Sequence, residues 1–209
     1  MKNNHYINNS PSRLNEIEQI IPINEKFFLI EYGPGSGSTL IDLKKKYSNG
    51  NVFGFDIAPT KLKEVDIPIF YLNLESHDSL IKYKDIIMQS DFHLFNDVIE
   101  HLSKPYDFLE IFVKMIKKKS IIIISCPNFK SIRFLSAWIK GTFPKDNYGF
   151  FDKTHLQWFS IDEFVTYFCN KKFNIVKTDY IYSKNKKIRY LQKIYPSRLC
   201  SQFQLTIQK

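Results

Sequence analysis

Two groups of residues in this 209-residue chain have the types and spacing to do chemistry. The first is Glu31-Tyr32-Gly33-Pro34-Gly35-Ser36-Gly37, followed twenty-three residues after Gly33 by Asp56 at the end of Phe53-Gly54-Phe55-Asp56. Glycines between a strand and a helix let a ligand approach the backbone where side chains would block it. An acid closing the next strand can accept hydrogen bonds from both hydroxyls of a ribose. Together they imply a nucleoside-containing cofactor. The second group is Glu100-His101 and His155, the latter within an aromatic-rich stretch over 130–158. Imidazole titrates near neutrality, which suits it to taking a proton from a reacting group.

Rigid elements must hold these residues in place, and the chain alternates them. Lys26 to Tyr32 predicts a buried strand running into the glycines, and Thr39 to Tyr47 a helix with Leu40, Leu43 and Tyr47 on one face. Asn51 to Asp56 and Pro68 to Leu72 predict two further strands. Leu80, Ile81, Ile87 and Met88 form a weaker helical stripe, and Asp91 to Phe95 a fourth strand. Ser103 predicts an N-cap, with Pro105 in the first turn, for a helix that buries Phe108, Leu109, Phe112, Val113 and Ile116. Ile121 to Ser125 is the most apolar run and predicts the central strand. Ser160-Ile161-Asp162-Glu163 reads as a capping box before Phe164, Val165 and Phe168. Phe173 to Tyr182 and Phe203 to Gln208 predict a closing strand pair. The alternation implies an α/β fold with a doubly wound, mostly parallel sheet, whose ligands sit beyond the carboxyl ends of its strands.

The formal net charge is +9. Short lysine groups (Lys44 to Lys46, Lys117 to Lys119, Lys171 and Lys172) fall where helices should end, which suits the helix macrodipole. The denser set Lys184, Lys186, Lys187, Arg189, Lys193 and Arg198 could meet a phosphate, a carboxylate or a membrane surface. No apolar run approaches the ~20 residues of a membrane helix, and no secretory signal opens the chain. Cys126, Cys169 and Cys200 are too scattered for a disulfide framework, so a reducing cytoplasm is expected.

The glycine order is G-x-G-x-G after an acid. The dinucleotide fingerprint G-x-G-x-x-G would need its third glycine at Ser38. The order resembles motif I of class I S-adenosylmethionine-dependent methyltransferases, E/D-x-G-x-G-x-G. Asn96-Asp97-Val98-Ile99-Glu100-His101-Leu102 resembles the D-V-I/L-E-H-L signature of ubiquinone-type O-methyltransferases. Ser125-Cys126-Pro127-Asn128-Phe129 resembles the S-x-P-N-F ending of strand five in methionine-biosynthesis W-type proteins. Asp152-Lys153-Thr154-His155-Leu156-Gln157-Trp158-Phe159-Ser160 resembles the D-x-T-H-L-x-x-F-T segment of that group and of surface-polysaccharide methyltransferases.

The resemblance implies a seven-stranded Rossmann-like sheet with an antiparallel last strand. It also implies one domain over residues 1–209, with an N-terminal arm (1–26) and a substrate-side insert (130–158). The arm's His5 and Tyr6 could close over the cofactor. That cofactor would be S-adenosylmethionine, held by Glu31, Gly33, Gly35, Gly37, Asp56, Asn73, Leu74 and Asn96. Asn73 stands where the family usually has Asp. On the acceptor side, His101 and His155 are candidate general bases. Glu100 could orient a histidine, cap the following helix or help bind a divalent ion, and no metal-ligand set is assigned. Asp97, Asn128, Arg133, Tyr148 and Trp158 are candidate acceptor contacts.

The expected acceptor is a small polar molecule, a sugar or biosynthetic intermediate with a reactive hydroxyl or amine. Nucleic acid is disfavoured, because Asn96-Asp97-Val98-Ile99 replaces the [D/N]-P-P-[Y/F] of adenine- and glutamine-directed enzymes. A non-catalytic subunit of a biosynthetic partner enzyme is the competing reading, and a homodimer also fits.

Overall fold

The computed structural model describes residues 13–21, 26–59, 66–182 and 185–209. His5, Tyr6 and Lys184 lie outside the described residues. Two compact units divide the chain: Met1–Asn96 with Tyr106–Ile123, and Asp97–Pro105 with Ile124–Lys209.

In the first unit a short helix, α1 (Leu14–Ile17), precedes β1 (Phe27–Tyr32). Ile17 and Ile21 are buried with Leu29, Leu40 and Leu43, so this part of the arm is core. Next come α2 (Ser38–Lys46), β2 (Gly50–Asp56), β3 (Ile69–Tyr71), α3 (His77–Lys82), α4 (Lys84–Gln89), β4 (Phe92–Asn96) and α5 (Pro105–Met115). The stripe around Leu80 splits at Tyr83 into α3 and α4, which bury Leu80 and Ile87 and leave Ile81 and Met88 exposed. Phe108, Leu109, Phe112, Val113 and Ile116 are all buried, as their spacing predicts. The helix starts at Pro105, so Lys104 rather than Ser103 precedes it.

In the second unit a single 3-10 turn (Ile99–His101) is followed by the end of β5 (Ile121–Pro127), α6 (Ile132–Ile139) and α7 (Ile161–Asn170). The chain closes with β6 (Asn174–Ile181), α8 (Lys186–Ile194), α9 (Pro196–Leu199) and β7 (Gln202–Gln208). Ser160 and Glu163 form the expected capping box, and Phe164 and Phe168 are buried beneath it.

The seven-stranded sheet has the order β3-β2-β1-β4-β5-β7-β6. β1 runs parallel to both β2 and β4, β2 is parallel to β3, and β7 is antiparallel to β6. The mostly parallel sheet with an antiparallel last strand is therefore present. Its middle strand is β4, however, and not the more apolar β5. Hydrophobicity reports that a strand is buried, whereas lateral order is set by the crossovers between strands.

Aromatic rings hold β1 against β4 and α5. Tyr32 stacks on Phe95 with centroids 4.3 Å apart, and Phe112 meets both rings edge-on. Tyr32 Oη lies 3.1 Å from His93 Nδ1, and both residues are fully buried. Burial, reinforced by the charge of Lys117, lowers the His93 pKa to about 3. The imidazole is thus neutral in the folded protein and takes up a proton when the chain unfolds in mild acid. Stability linked to it is present above pH 6.5 and is lost as the pH falls towards 3. Between pH 7 and pH 4 the wild type should lose about 3 kcal/mol more unfolding free energy than His93→Phe. Urea unfolding at the two pH values measures this, and equal losses would show that His93 is not a buried neutral imidazole.

Candidate functional site

β1 ends in Glu31 and Tyr32 and turns at once into the glycines. Gly33 N donates to Phe55 O at 2.7 Å, which ties the turn to β2. Gly33, Gly35 and Gly37 have φ of 62°, 54° and 72°, the left-handed region that side chains disfavour. Gly37 occupies the N-cap position of α2. A Cβ added at Gly35 would meet nothing within 4 Å, so the backbone there borders open space. At the end of β2, Asp56 Oδ1 accepts from Ala58 N at 2.8 Å. Asn73 Oδ1 accepts from Glu75 N at 3.0 Å, in the turn before α3. An Asp could make that bond equally well. The substitution therefore changes the remaining atom from an acceptor to the donor Nδ2.

Glu31 is buried at the tip of β1, and Asn96 Nδ2, at the tip of β4, donates to its Oε1 at 2.9 Å. Burial raises the Glu31 pKa to about 7, opposed by Asn96, Thr39 and Arg13. Glu31 Oε2 and Asn96 Oδ1 are buried without a hydrogen-bond partner among the described residues. Two adjacent acceptors short of donors suit a ligand that carries positive charge. A carboxyl whose folded pKa exceeds its unfolded value is a liability that grows as the pH rises from 4.5 to 7. Glu31→Gln should therefore stabilise the ligand-free protein by up to about 3 kcal/mol at pH 8 and by little at pH 4.5. Thermal or urea unfolding checks this, and equal stabilities at pH 8 would contradict a strained carboxylate.

In the second unit Glu100, His101 and His155 come together. Glu100 is fully buried, and its carbonyl accepts from both Leu156 N (2.8 Å) and Gln157 N (3.0 Å). This clamps the 154–157 segment onto the 3-10 turn. Cys126 Sγ donates to Glu100 Oε2 at 3.5 Å, and His155 Nε2 lies 4.0 Å from Glu100 Oε1. The two imidazole rings are 4.8 Å apart. His101 Nδ1 is 3.1 Å from both the carbonyl and the hydroxyl of Thr154. The Thr154 hydroxyl donates to Asp152 Oδ1 at 2.6 Å, and a carbonyl can only accept. His101 Nδ1 is thus the protonated nitrogen, which leaves Nε2 as a base or ligand atom when the ring is neutral. Burial, helped by the neighbouring His101, lowers the His155 pKa, with the charges of Asp152 and Asp97 pulling the other way.

The remaining acceptor candidates divide. Asp97, at φ 53°, accepts from Gln202 Nε2 through both carboxylate oxygens at 3.0 and 3.1 Å. Asn128 is fully buried: Nδ2 donates to Ser197 O and Cys200 O, and Oδ1 accepts from Lys130 N. Its amide is spent anchoring α9, and a substrate contact would have to break those bonds. Arg133 lies over the Phe150 ring, and Tyr148 is exposed. Trp158 packs against Phe134, Phe143, Phe150 and Phe151, and its ring is 5.3 Å from that of His155. Beside it a cavity of about 1110 Å³ opens along α6, with Arg198 on its wall. Cys126, Thr154, Asp152 and Gln202 support the site but carry no signal of their own in the sequence. Only the D-x-T-H-L stretch hints at Thr154 and Asp152.

By sequence, no family model and no curated protein matches the chain. Solved structures match its fold. An S-adenosylmethionine-dependent methyltransferase from Archaeoglobus fulgidus aligns with a TM-score of 0.64 at 16% identity, over 93% of this chain and 92% of its own. Another from Mesorhizobium loti aligns with a TM-score of 0.62 at 9% identity, over 98% and 100%. The plantazolicin methyltransferase BamL, solved with a triazolic desmethylPZN analog and SAH, gives 0.60 at 12% identity, over 89% and 78%. The chain has the fold of S-adenosylmethionine-dependent methyltransferases.

Proposed function

We propose that the chain is an S-adenosylmethionine-dependent methyltransferase acting on a hydroxyl, or an amine, of a small polar molecule such as a sugar or biosynthetic intermediate. One observation carries this reading: the turn after β1, with three left-handed glycines, a buried carboxyl short of donors, and Asp56 closing β2. Gly33, Gly35 and Gly37 let the methionine part of the cofactor reach the backbone. Glu31 and Asn96 balance its positive charge, Asp56 takes the ribose hydroxyls, and Asn73 and Leu74 receive the adenine. Residues 1–209 act as one methyltransferase domain, in line with neighbours that align over most of both chains. Free thiols at Cys126, Cys169 and Cys200 support a reducing cytoplasm.

The reaction is a displacement. When bound, S-adenosylmethionine would supply an electrophilic methyl carbon with a neutral sulfide as its leaving group, and a lone pair on the acceptor oxygen would form the new bond to that carbon. The acceptor proton goes to a base. His155, kept neutral by burial, and His101, with Nε2 open, are both suited to take it. Glu100 orients His155, while Arg133, Tyr148 and Trp158 supply polar and stacking contacts for the acceptor.

A second reading has its own observation: one ligand atom each from Glu100, His101 and His155 lie within 4.8 Å of one another. Two imidazoles and a carboxylate suit a divalent ion such as Mn²⁺ or Zn²⁺, which would polarise the acceptor oxygen.

S-Adenosylmethionine should bind at low-micromolar Kd, about −8 kcal/mol, with no measurable binding of NAD. Asp56→Ala should weaken it by ~1–3 kcal/mol through unpaired ribose hydroxyls. Calorimetry that shows tight NAD binding, or an unchanged Asp56→Ala affinity, would contradict the cofactor assignment. His101→Ala or His155→Ala should lower kcat at least ~10²-fold while cofactor affinity holds. Turnover of the wild type should survive exhaustive chelation. Loss on chelation, with recovery on adding Mn²⁺ or Zn²⁺, would favour the cation reading, and full turnover in both histidine variants would exclude either role.

A further inference from the structure

Methyl transfer uses neither the basic C-terminal stretch nor the outer side of α6. From Asn185 to Lys209 the chain carries six Lys or Arg and no Asp or Glu. α8 is amphipathic, yet most of its apolar side is uncovered: Ile188, Leu191, Ile194 and Tyr195 are exposed, as are Lys186, Lys187, Arg189 and Lys193 around them. In the same unit the end of α6 projects Trp138 (79% exposed) and Ile139 (70% exposed), next to Ile132 and Leu135. α9 links the two regions. Gln192 of α8 donates to Leu199 O, and Arg198 of α9 shares the wall of the apolar cavity with α6. Among the described residues no carboxylate pairs with the Arg198 guanidinium.

We propose that α8 and the exposed end of α6 seat the second unit on an anionic lipid bilayer, with cations on the headgroups and apolar side chains among the acyl chains. Charge and shape both point there. A helix with Lys and Arg on one side and aliphatic residues on the other lies in the plane of a bilayer interface, and tryptophan is favoured at that depth. Nucleic acid would match the charge but gives Ile188, Leu191 and Ile194 nothing to contact. Single-stranded binders stack bases on aromatic platforms; Trp138, Tyr190 and Tyr195 are exposed here, but the aliphatic Ile132, Leu135, Ile188, Leu191 and Ile194 outnumber them and offer a base no stacking face. A second copy of this chain docked through the same face would set Lys186, Lys187, Arg189, Lys193 and Arg198 against their own like charges.

The test is flotation of the full chain with vesicles of phosphatidylcholine alone or mixed with phosphatidylglycerol, alongside intrinsic fluorescence. The chain's two tryptophans, Trp138 and Trp158, both line the cavity, so emission reads this face directly. Binding is expected on the anionic vesicles only, with a blue shift and progressive release by salt. Lys186→Gln/Lys187→Gln/Lys193→Gln should weaken it roughly 100-fold. Trp138→Ser/Ile139→Ser should abolish the blue shift with an unchanged circular-dichroism melt. Three results would overturn the proposal: equal binding to neutral vesicles, full binding by both variants, or displacement by single-stranded RNA. So would a dimer in sedimentation that disperses with Trp138→Ser/Ile139→Ser, or a blue shift that saturates with monomeric dioctanoyl phosphatidylglycerol while vesicles stay unbound.

Discussion

The structure of the first unit depends on a carboxyl group in the wrong solvent. Glu31 is buried where β1 ends, its Oε2 without a partner among the described residues, and its pKa stands near 7 because Asn96, Thr39 and Arg13 offset the burial only in part. A hydrophobe would make a more stable strand end, so the carboxyl weakens the ligand-free fold. The same deficit favours a cationic ligand, whose charge would lower that pKa again. Around it, the three left-handed glycines keep the backbone of the turn free of side chains, and the Gly33–Phe55 hydrogen bond fixes the turn to β2. The aromatic stack of Tyr32, Phe95 and Phe112 supplies the rigidity beneath.

The second unit solves a different problem. Its candidate base residues lie on a short 3-10 turn and on an irregular loop, far apart in the chain. The Glu100 carbonyl accepts from two successive amides, Leu156 and Gln157, which ties the loop that carries His155 to the turn that carries His101. Thr154 and Asp152 then fix which nitrogen of His101 holds its proton. Asn128 and Gln202 are positioning residues in the same sense. One pins α9, and the other holds the Asp97 carboxylate at both oxygens.

Local signals in the sequence were legible to within a residue or two. The glycine turn, β1, the buried face of α5 and the Ser160–Glu163 capping box depend on neighbours close in the chain, and each is where its pattern predicts. What escaped depends on distant partners. Gln202 meets Asp97 across 105 positions, and Asn128 meets Cys200 across 72, so neither has a pattern to read. Asn128 consequently reads as an acceptor contact while its amide is spent on the backbone. Met88 and Ile81 read as core because periodicity shows a stripe without showing what covers it. α8 was legible only as a basic run, since its apolar side faces outward and serves no core.

The ionisation of Glu31 tests the central claim most directly. Side-chain carbon NMR of glutamate-labelled protein, assigned with Glu31→Gln, follows its titration with and without S-adenosylmethionine. The account predicts a pKa near 7 in the free protein, falling by at least about one unit when the cationic cofactor is bound. A Glu31 that titrates like an ordinary exposed carboxylate, or whose titration is unmoved by saturating cofactor, would contradict it.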